Sequence, residues 1–384
     1  MSYFSDVRED VDKGREGGYT GIPIKLLPRL DEYLGGIQRA RMDLIGANPG
    51  IGKTALVDYA YIISPVESII AKDTDFTYTI DYWSLEISRK KKLTKISALY
   101  MYIKFGIVID YKRLLSFGKK EHRLSTELYE AFLKTEEFIE RLQDHVIIHG
   151  GKANPTKISM HTAKYSESIG KIKYRNKLNP KEPLVDKNPY GEENEKRYDY
   201  EKVYVPNNER HVHLNIVDHI GKLRREHEEK GGKLMDKKSN LDKYSADCVD
   251  NRDFYGTSYC NVSQFNRALA SFLRQQFGEL RPLLEDFKDT GNTQEDSDVV
   301  MGLFNPERYN LQKYAGYNVA KLQGRGRFLF VLKSRDGDDN VDMALRFIGE
   351  CGHFCEMYTK SEIEADETLY RHITKFEKKL LKEL

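Results

Sequence analysis

Lys53 and Thr54 sit in the middle of the stretch "LIGANPGIGKTALVDYAYIIS", residues 44–64, just after the point where its glycines are densest. A short apolar run, a glycine-bearing loop and a helix start come in that order. This arrangement points several backbone N–H groups at one spot, at the positive end of the helix dipole. The chemistry it suits is phosphate binding. Gly50 and Gly52 allow close backbone approach, Lys53 reaches β- and γ-phosphates, and the Thr54 hydroxyl serves Mg²⁺. The common pattern G-x-x-x-x-G-K-[ST] has glycine first, and here that place holds Ala47. Ala47, Asn48, Pro49, Gly50, Ile51, Gly52, Lys53, Thr54 and Ala55 form the candidate nucleotide-binding loop, with ATP and Mg²⁺ the expected ligands.

Such a loop needs an acid for the metal and a carboxylate to polarise the attacking water. Asp218 ends the apolar run "LNIVD" and suits the metal role. Glu86 follows "DYWSL" and suits the water. Gln264 closes "YCNVSQ", where an amide can sense a γ-phosphate. Cys351, His353 and Cys355 alternate in "CGHFC", but no fourth ligand lies at structural-zinc spacing. That segment reads as a half-buried strand near the end of a sheet.

The elements that must position these residues follow from pattern. "IKLLPRLDEYLGGIQRARMDLIGA" is expected to give a short helix, a Gly35-Gly36 stop and the strand before the loop. Strands are expected at "TIDYWSLEIS", "DHVIIHGG", "RHVHLNIVDHIG", "VVMGLFNP" and "GRFLFVLKSRDG", helices at "RKKKLTKISALYMYIKFG" and 124–143, and a strand running into a helix at "RDFYGTSYCNVSQFNRAL". Strands alternating with helices imply an α/β fold with a mainly parallel sheet, whose ligands gather at the carboxyl ends of the strands. Residues 1–20 read as a polar arm, with Tyr3, Phe4 and Val7 as apolar anchors and Gly14, Gly17 and Gly18 as a flexible exit. Residues 164–210 are polar and Tyr-rich, and read as a β-hairpin-like insertion. Within it Lys171, Lys173, Arg175 and Lys177 share a face that either touches nucleic acid or pairs with Asp199 and Glu201 across the hairpin. Residues 359–384 read as an amphipathic helix opened by a Ser361–Glu364 capping box.

Composition adds bounds. The chain of 384 residues has a net charge of +2, so any nucleic-acid contact must come from local patches. No apolar run approaches a membrane span, the N-terminus lacks signal-peptide character, and four cysteines suit a reducing cytoplasm.

Taken together, these motifs resemble the RecA-like motor domain of DnaB-type replicative helicases. "ANPGIGKT" matches the family's A-x-P-x-x-G-K-T, which accounts for Ala47. Ser84-Leu85-Glu86-Ile87 is similar to S-L-E-M, and "VDHIG" to V-D-Y-L-Q without its glutamine. Ser263-Gln264-Phe265-Asn266-Arg267 resembles S-Q-L-N-R, "KDTGNTQEDSD" resembles R-E-S-G-x-x-x-Q/E-D-A-D, and Lys333-Ser334-Arg335-Asp336-Gly337 resembles K-x-R-x-G. The resemblance covers about residues 21–358, interrupted by the insertion.

By that resemblance the chain is an ATP-hydrolysing DNA helicase that forms a homo-oligomeric, hexameric ring and translocates on single-stranded DNA during replication, with a primase or loader as further partner. Glu86 is then the catalytic carboxylate, and Lys333 and Arg335 reach into the neighbouring subunit's ATP site. Lys288, Asp289, Thr290 and Gly291 line the channel and hold one DNA phosphate, although Asp286, Asp289, Glu295 and Asp296 outnumber Lys288 there. About 20 residues stand where the family carries an N-terminal collar, which suggests a phage or mobile-element origin. The competing readings are a recombinase-like or protein-remodelling ATPase, and a nucleotide-dependent scaffold.

Overall fold

The computed structural model describes residues 21–116, 123–190, 199–228, 232–266, 280–288, 291–335 and 341–369, with isolated residues at 4, 8, 11, 12, 15, 269, 271, 274 and 337. Its strands are β1 (Met42–Ala47), β2 (Thr77–Ser84), β3 (Val146–Gly150), β4 (Gly170–Asn176), β5 (Tyr200–Pro206), β6 (His211–Asp218), β7 (Ser258–Gln264), β8 (Val299–Phe304), β9 (Lys313–Tyr314), β10 (Tyr317–Asn318), β11 (Gly326–Ser334), β12 (Asp342–Ile348) and β13 (His353–Glu356). Nine of them form one sheet in the order β13-β12-β11-β8-β1-β7-β6-β2-β3. The run from β8 to β3 is parallel, and β11, β12 and β13 add an antiparallel flank. β1 is buried at every position, as a central parallel strand covered on both faces must be.

Successive side chains on β2 point to opposite faces. Tyr78, Ile80 and Tyr82 pack with Leu56, Val57 and Tyr59–Ile63 of the helix that leaves the glycine loop. Trp83 packs on the other face with Ile158, Val217, Leu241 and Tyr244. That second face is covered by helices Pro155–Ser168 and Lys237–Tyr255. Neither helix is evident in the sequence. The longer one mixes Leu241, Tyr244 and Cys248 with buried Asn240, Asn251 and Arg252, so its inner face does not read as apolar. It is set by its caps: Asp236 accepts from the Ser239 N–H, and Gly256 takes the left-handed conformation that ends it.

Several boundaries differ from expectation. Helix 124–143 is two helices, Thr126–Leu133 and Glu136–Gln143, separated at Thr135, whose hydroxyl donates back to the Phe132 carbonyl. Residues 164–168, expected in the insertion, belong to helix Pro155–Ser168, and the hairpin itself is β4 paired antiparallel with β5. Across it Glu201 lies 3.6 Å from Arg175 and 4.0 Å from Lys177, whereas Lys173 turns to Asp186. Asp199 accepts the Lys177 N–H through its carbonyl. The C-terminal capping box is Thr359–Glu362 rather than Ser361–Glu364, and its helix, Lys360–Ala365, stops at the extended Asp366. Residues 370–384, like Tyr3, Val7, Gly14, Gly17 and Gly18 of the arm, lie outside the described residues. His353–Glu356 is the edge strand expected of "CGHFC"; His353 meets the Tyr59 hydroxyl at 3.0 Å, and Cys351 is buried.

Candidate functional site

The loop between β1 and the following helix sits at the carboxyl edge of the parallel sheet, flanked by the ends of β7 and β8. Gly52 has φ +112°, and a Cβ there would stand 2.8 Å from the Phe347 ring, so both conformation and space require glycine. Gly46 is constrained by space alone, because a Cβ would strike the Phe287 and Phe265 rings. Three side chains that the sequence reading did not single out hold the loop from outside. Arg327 donates to the Ile51 carbonyl at 2.9 Å, Arg308 to the Pro49 carbonyl at 2.6 Å, and the Asn48 amide to the Tyr309 hydroxyl at 2.7 Å. Arg327 is buried, and burial draws its pKa down to about 10. Their sequence signal is weak, since each arrives from a segment more than 250 positions away.

Lys53 begins the helix, and its side chain is buried at the loop's centre. Burial lowers its pKa, while Asp218 and Glu86 oppose the shift. The Thr54 hydroxyl donates to Asp218 Oδ2 at 3.0 Å, and the Tyr82 hydroxyl donates to the same oxygen at 2.8 Å. Asp218 Oδ1 is buried and has no hydrogen-bond partner. A free carboxylate oxygen beside a helix N-terminal threonine fits a Mg²⁺ ion bearing phosphates, and a buried lysine fits the phosphates themselves.

Behind Asp218 runs a buried polar chain. Lys92 Nζ donates to the Tyr82 hydroxyl at 2.6 Å and pairs with Asp58. Asp58 opens a π-helical stretch, Asp58–Ile63, in the helix after the loop. Burial raises the Asp58 pKa against the pull of Lys92, and burial also raises that of Tyr82, so the phenol stays a donor to Asp218. Asp58, Lys92, Tyr82, Asp218 and Thr54 thus form one connected line that fixes the Asp218 carboxylate. Lys92 is hidden in the run "RKKK", which reads as a solvated patch; nothing local marks it as the buried member.

Glu86 stands just past the end of β2, in a turn pinned by the Ser84 hydroxyl on the Ile87 carbonyl and by the Leu85 N–H on the Asp218 carbonyl. Its carboxylate lies 3.3 Å from His219 Nε2 and 3.9 Å from Lys222 Nζ. Burial lowers the His219 pKa, against the opposing effect of Glu86. Lys53, Thr54, Glu86 and Gln264 line one cleft of about 490 Å³, together with Gly50, Gly52 and Phe347.

Gln264 also connects outward. Its carbonyl accepts the Lys288 N–H at 2.9 Å, and Phe265 and Phe287 pair as an antiparallel bridge. Lys288 is exposed and Gly291 begins helix Gly291–Asp296, while Asp289 and Thr290 lie outside the described residues. The acidic surplus expected around this loop is reduced: Asp286 is buried against Arg274 and accepts the Leu283 N–H, and Asp296 accepts from the Ser245 hydroxyl.

Lys333 and Arg335 sit elsewhere. Lys333 pairs in register with Val300, near the start of β8, whereas the loop's Ala47 pairs with Leu303 near its end. Lys333 donates to the Gln294 and Glu295 carbonyls, and Arg335 to Asp298 at 2.9 Å and to the Glu295 carbonyl. Both are therefore at the opposite edge of the sheet from their own phosphate loop. Asp336 and Arg267 lie outside the described residues.

No protein-family profile matches the chain, and no curated relative does. Solved structures match in fold. One is an ATPase domain, 16% identical with a TM-score of 0.63 over 92% of this chain and 97% of that one. Another, "The Structure Of A DnaB-Like Replicative Helicase And Its Interactions With Primase", is 16% identical with a TM-score of 0.62, covering 92% of this chain and 67% of that chain. The mainly parallel sheet, the glycine loop at its carboxyl edge and these likenesses give the chain a RecA-like fold, the one shared with that ATPase domain and that DnaB-like helicase.

Proposed function

We propose that the chain is an ATP-driven motor that hydrolyses ATP at the cleft lined by Lys53, Thr54 and Glu86 and moves along single-stranded DNA as a replicative helicase. The observation that carries this reading is the join between the cleft and the "KDTG" loop: Gln264 lines the cleft, and its carbonyl holds the Lys288 N–H. A change at the γ-phosphate position that shifts Gln264 shifts Lys288 with it. Lys288 is exposed, as a sequence-independent phosphate contact requires.

In this reading the loop N–H groups and Lys53 hold the β- and γ-phosphates. Thr54 and Asp218 hold Mg²⁺, which supplies charge neutralisation when bound. Glu86 orients the attacking water and takes its proton, with His219 Nε2 3.3 Å from the carboxylate. Lys333 and Arg335 cannot serve their own cleft from the far edge of the sheet. This supports a ring in which they complete the site of the next subunit, where such an arginine contributes about 10³–10⁵ in rate. The solved DnaB-like helicase was described with primase, and a primase or loader is the matching partner class here. Among the described residues no helix is long and apolar enough to cross a membrane.

The test is ATP turnover with and without single-stranded DNA, followed by unwinding of a forked duplex. Stimulation with unwinding supports the helicase. Stimulation without unwinding indicates a translocase or recombinase, and no stimulation indicates a protein-remodelling ATPase.

A further inference from the structure

Four histidines gather on the face of the sheet turned away from the phosphate loop, and three of them converge on one buried acid. Asp81 of β2 is fully buried. His149 Nε2, from edge strand β3, lies 2.6 Å from its Oδ1. His161 Nε2, from helix Pro155–Ser168, lies 3.0 Å from Oδ2, and His213 Nε2, from β6, lies 2.8 Å from that oxygen. His211, two positions before His213 on β6, is turned instead to the Thr77 hydroxyl at 2.8 Å. β3 and helix Pro155–Ser168 follow one another in the chain while β2 lies far upstream, and the fold brings the ligand atoms of Asp81, His149 and His161 within 4.8 Å of one another.

Hydrogen bonding alone does not account for this cluster. His161 Nε2 is buried and makes no hydrogen bond, although it faces the carboxylate. The rings are also held in place from outside. Trp83 stacks on His149 with centroids 4.1 Å apart and meets His161 edge-on at 5.4 Å. Imidazole nitrogens and a carboxylate, aimed at a common point beside an indole that limits water, are the donor set that binds zinc-class divalent cations.

We propose that Asp81, His149 and His161 form a binding site for a divalent transition metal of the zinc class, distinct from the Mg²⁺ position at Thr54 and Asp218. His149 and His161 coordinate through Nε2 and Asp81 through its carboxylate. His213 is a positioning residue that hydrogen-bonds Asp81 Oδ2 and sets the direction of the carboxylate. His149 and His161 are partly exposed, which gives the ion an entry path and leaves a coordination position for water. The ion ties edge strand β3 and helix Pro155–Ser168 to β2, next to the turn that carries Glu86.

The experiment uses the full chain without a histidine tag, stripped with EDTA and free of nucleotide, titrated with Co²⁺ and then Zn²⁺. The site predicts a visible cobalt d–d band that saturates at one ion per chain and is bleached by Zn²⁺, with a rise in melting temperature. His149→Ala and His161→Ala each lose the band while retaining wild-type far-UV circular dichroism. His213→Asn weakens binding by about 10- to 100-fold, and Thr54→Ala binds Co²⁺ as the wild type does. No band in the wild-type chain, a band retained in both histidine variants, or a band lost with Thr54→Ala overturns the proposal.

Discussion

Strand β2 serves two buried acids, one on each face, and they are neutralised in different ways. Toward the phosphate loop, Tyr82 links Asp218 to Lys92 and Asp58, so a fixed ammonium balances the buried carboxylate. Toward the opposite face, Asp81 is balanced by imidazoles. Burial works against ionisation of Asp81, but the hydrogen bonds from His149 and His213 outweigh it and hold its pKa well below the usual carboxylate range. The lysine partner acts as a hydrogen-bond donor to Asp58 and Tyr82. Imidazoles can exchange a proton for a metal. The same strand thus provides a permanent scaffold on one side and an exchangeable one on the other, and that difference comes from the partner's chemistry rather than from depth of burial.

The largest effect expected on the phosphate face comes from Lys53→Ala, which removes the cation from the β/γ-phosphates. ATP turnover should fall by more than about a hundredfold, while cobalt binding on the other face stays intact. Loss of both together would mean that the two faces are not independent.

Lys92→Met is the next. It leaves Asp58 buried without its cation, and breaking a buried pair in this way costs about 3–5 kcal/mol. Thermal or denaturant melts should show that loss, and adding Asp58→Asn should recover much of it. A Lys92→Met chain as stable as the wild type would remove the lysine from the scaffold.

Lys288→Ala touches neither face of β2 and serves as the contrast. It should weaken single-strand binding about equally for all sequences and flatten the salt dependence by about 0.7 in log–log slope, one phosphate contact on a single strand. Basal ATP turnover should stay near wild type. Unaltered DNA affinity would direct attention to the basic strand β4 instead.

The smallest effect is a pH dependence at the sheet's edge. Burial, with Arg346 acting in the same direction, pushes the His353 pKa down to about 3. The folded state therefore holds this histidine neutral, while the unfolded chain protonates it near pH 6.5. Its contribution to stability is complete above about pH 6.5 and is lost progressively as the pH falls below that value. Melts across pH 7 to 5 should show less slope for His353→Phe than for the wild-type chain. An identical slope would mean that His353 is protonated in the fold.

Most of the phosphate corner was legible in sequence because its chemistry is local. Ala47 to Ala55 are contiguous, and Glu86, Asp218 and Gln264 each close an apolar run at the same edge of the sheet. The parallel core was legible for the same reason. Lys92, Arg327, Arg308 and the Asp81 histidines were not, because each is defined by a partner far away in the chain. Alternation does not mark them either: on β3 His149 shares a side with the exposed Ile147, opposite Val146 and Ile148. Helix Lys237–Tyr255 was missed because its buried side is built from Asn240, Asn251 and Arg252 as much as from apolar residues.

The measurement that bears most directly on the account is a paired assay of Glu86→Gln: nucleotide binding by a fluorescent ATP analogue, and phosphate release with single-stranded DNA present. Glu86 lines the cleft but is not one of the groups proposed above to hold the phosphates or the metal. The account predicts affinity within a few-fold of wild type and phosphate release reduced by about 10²-fold or more. Wild-type release with intact binding would contradict it, and would place the hydrolytic carboxylate somewhere other than the end of β2.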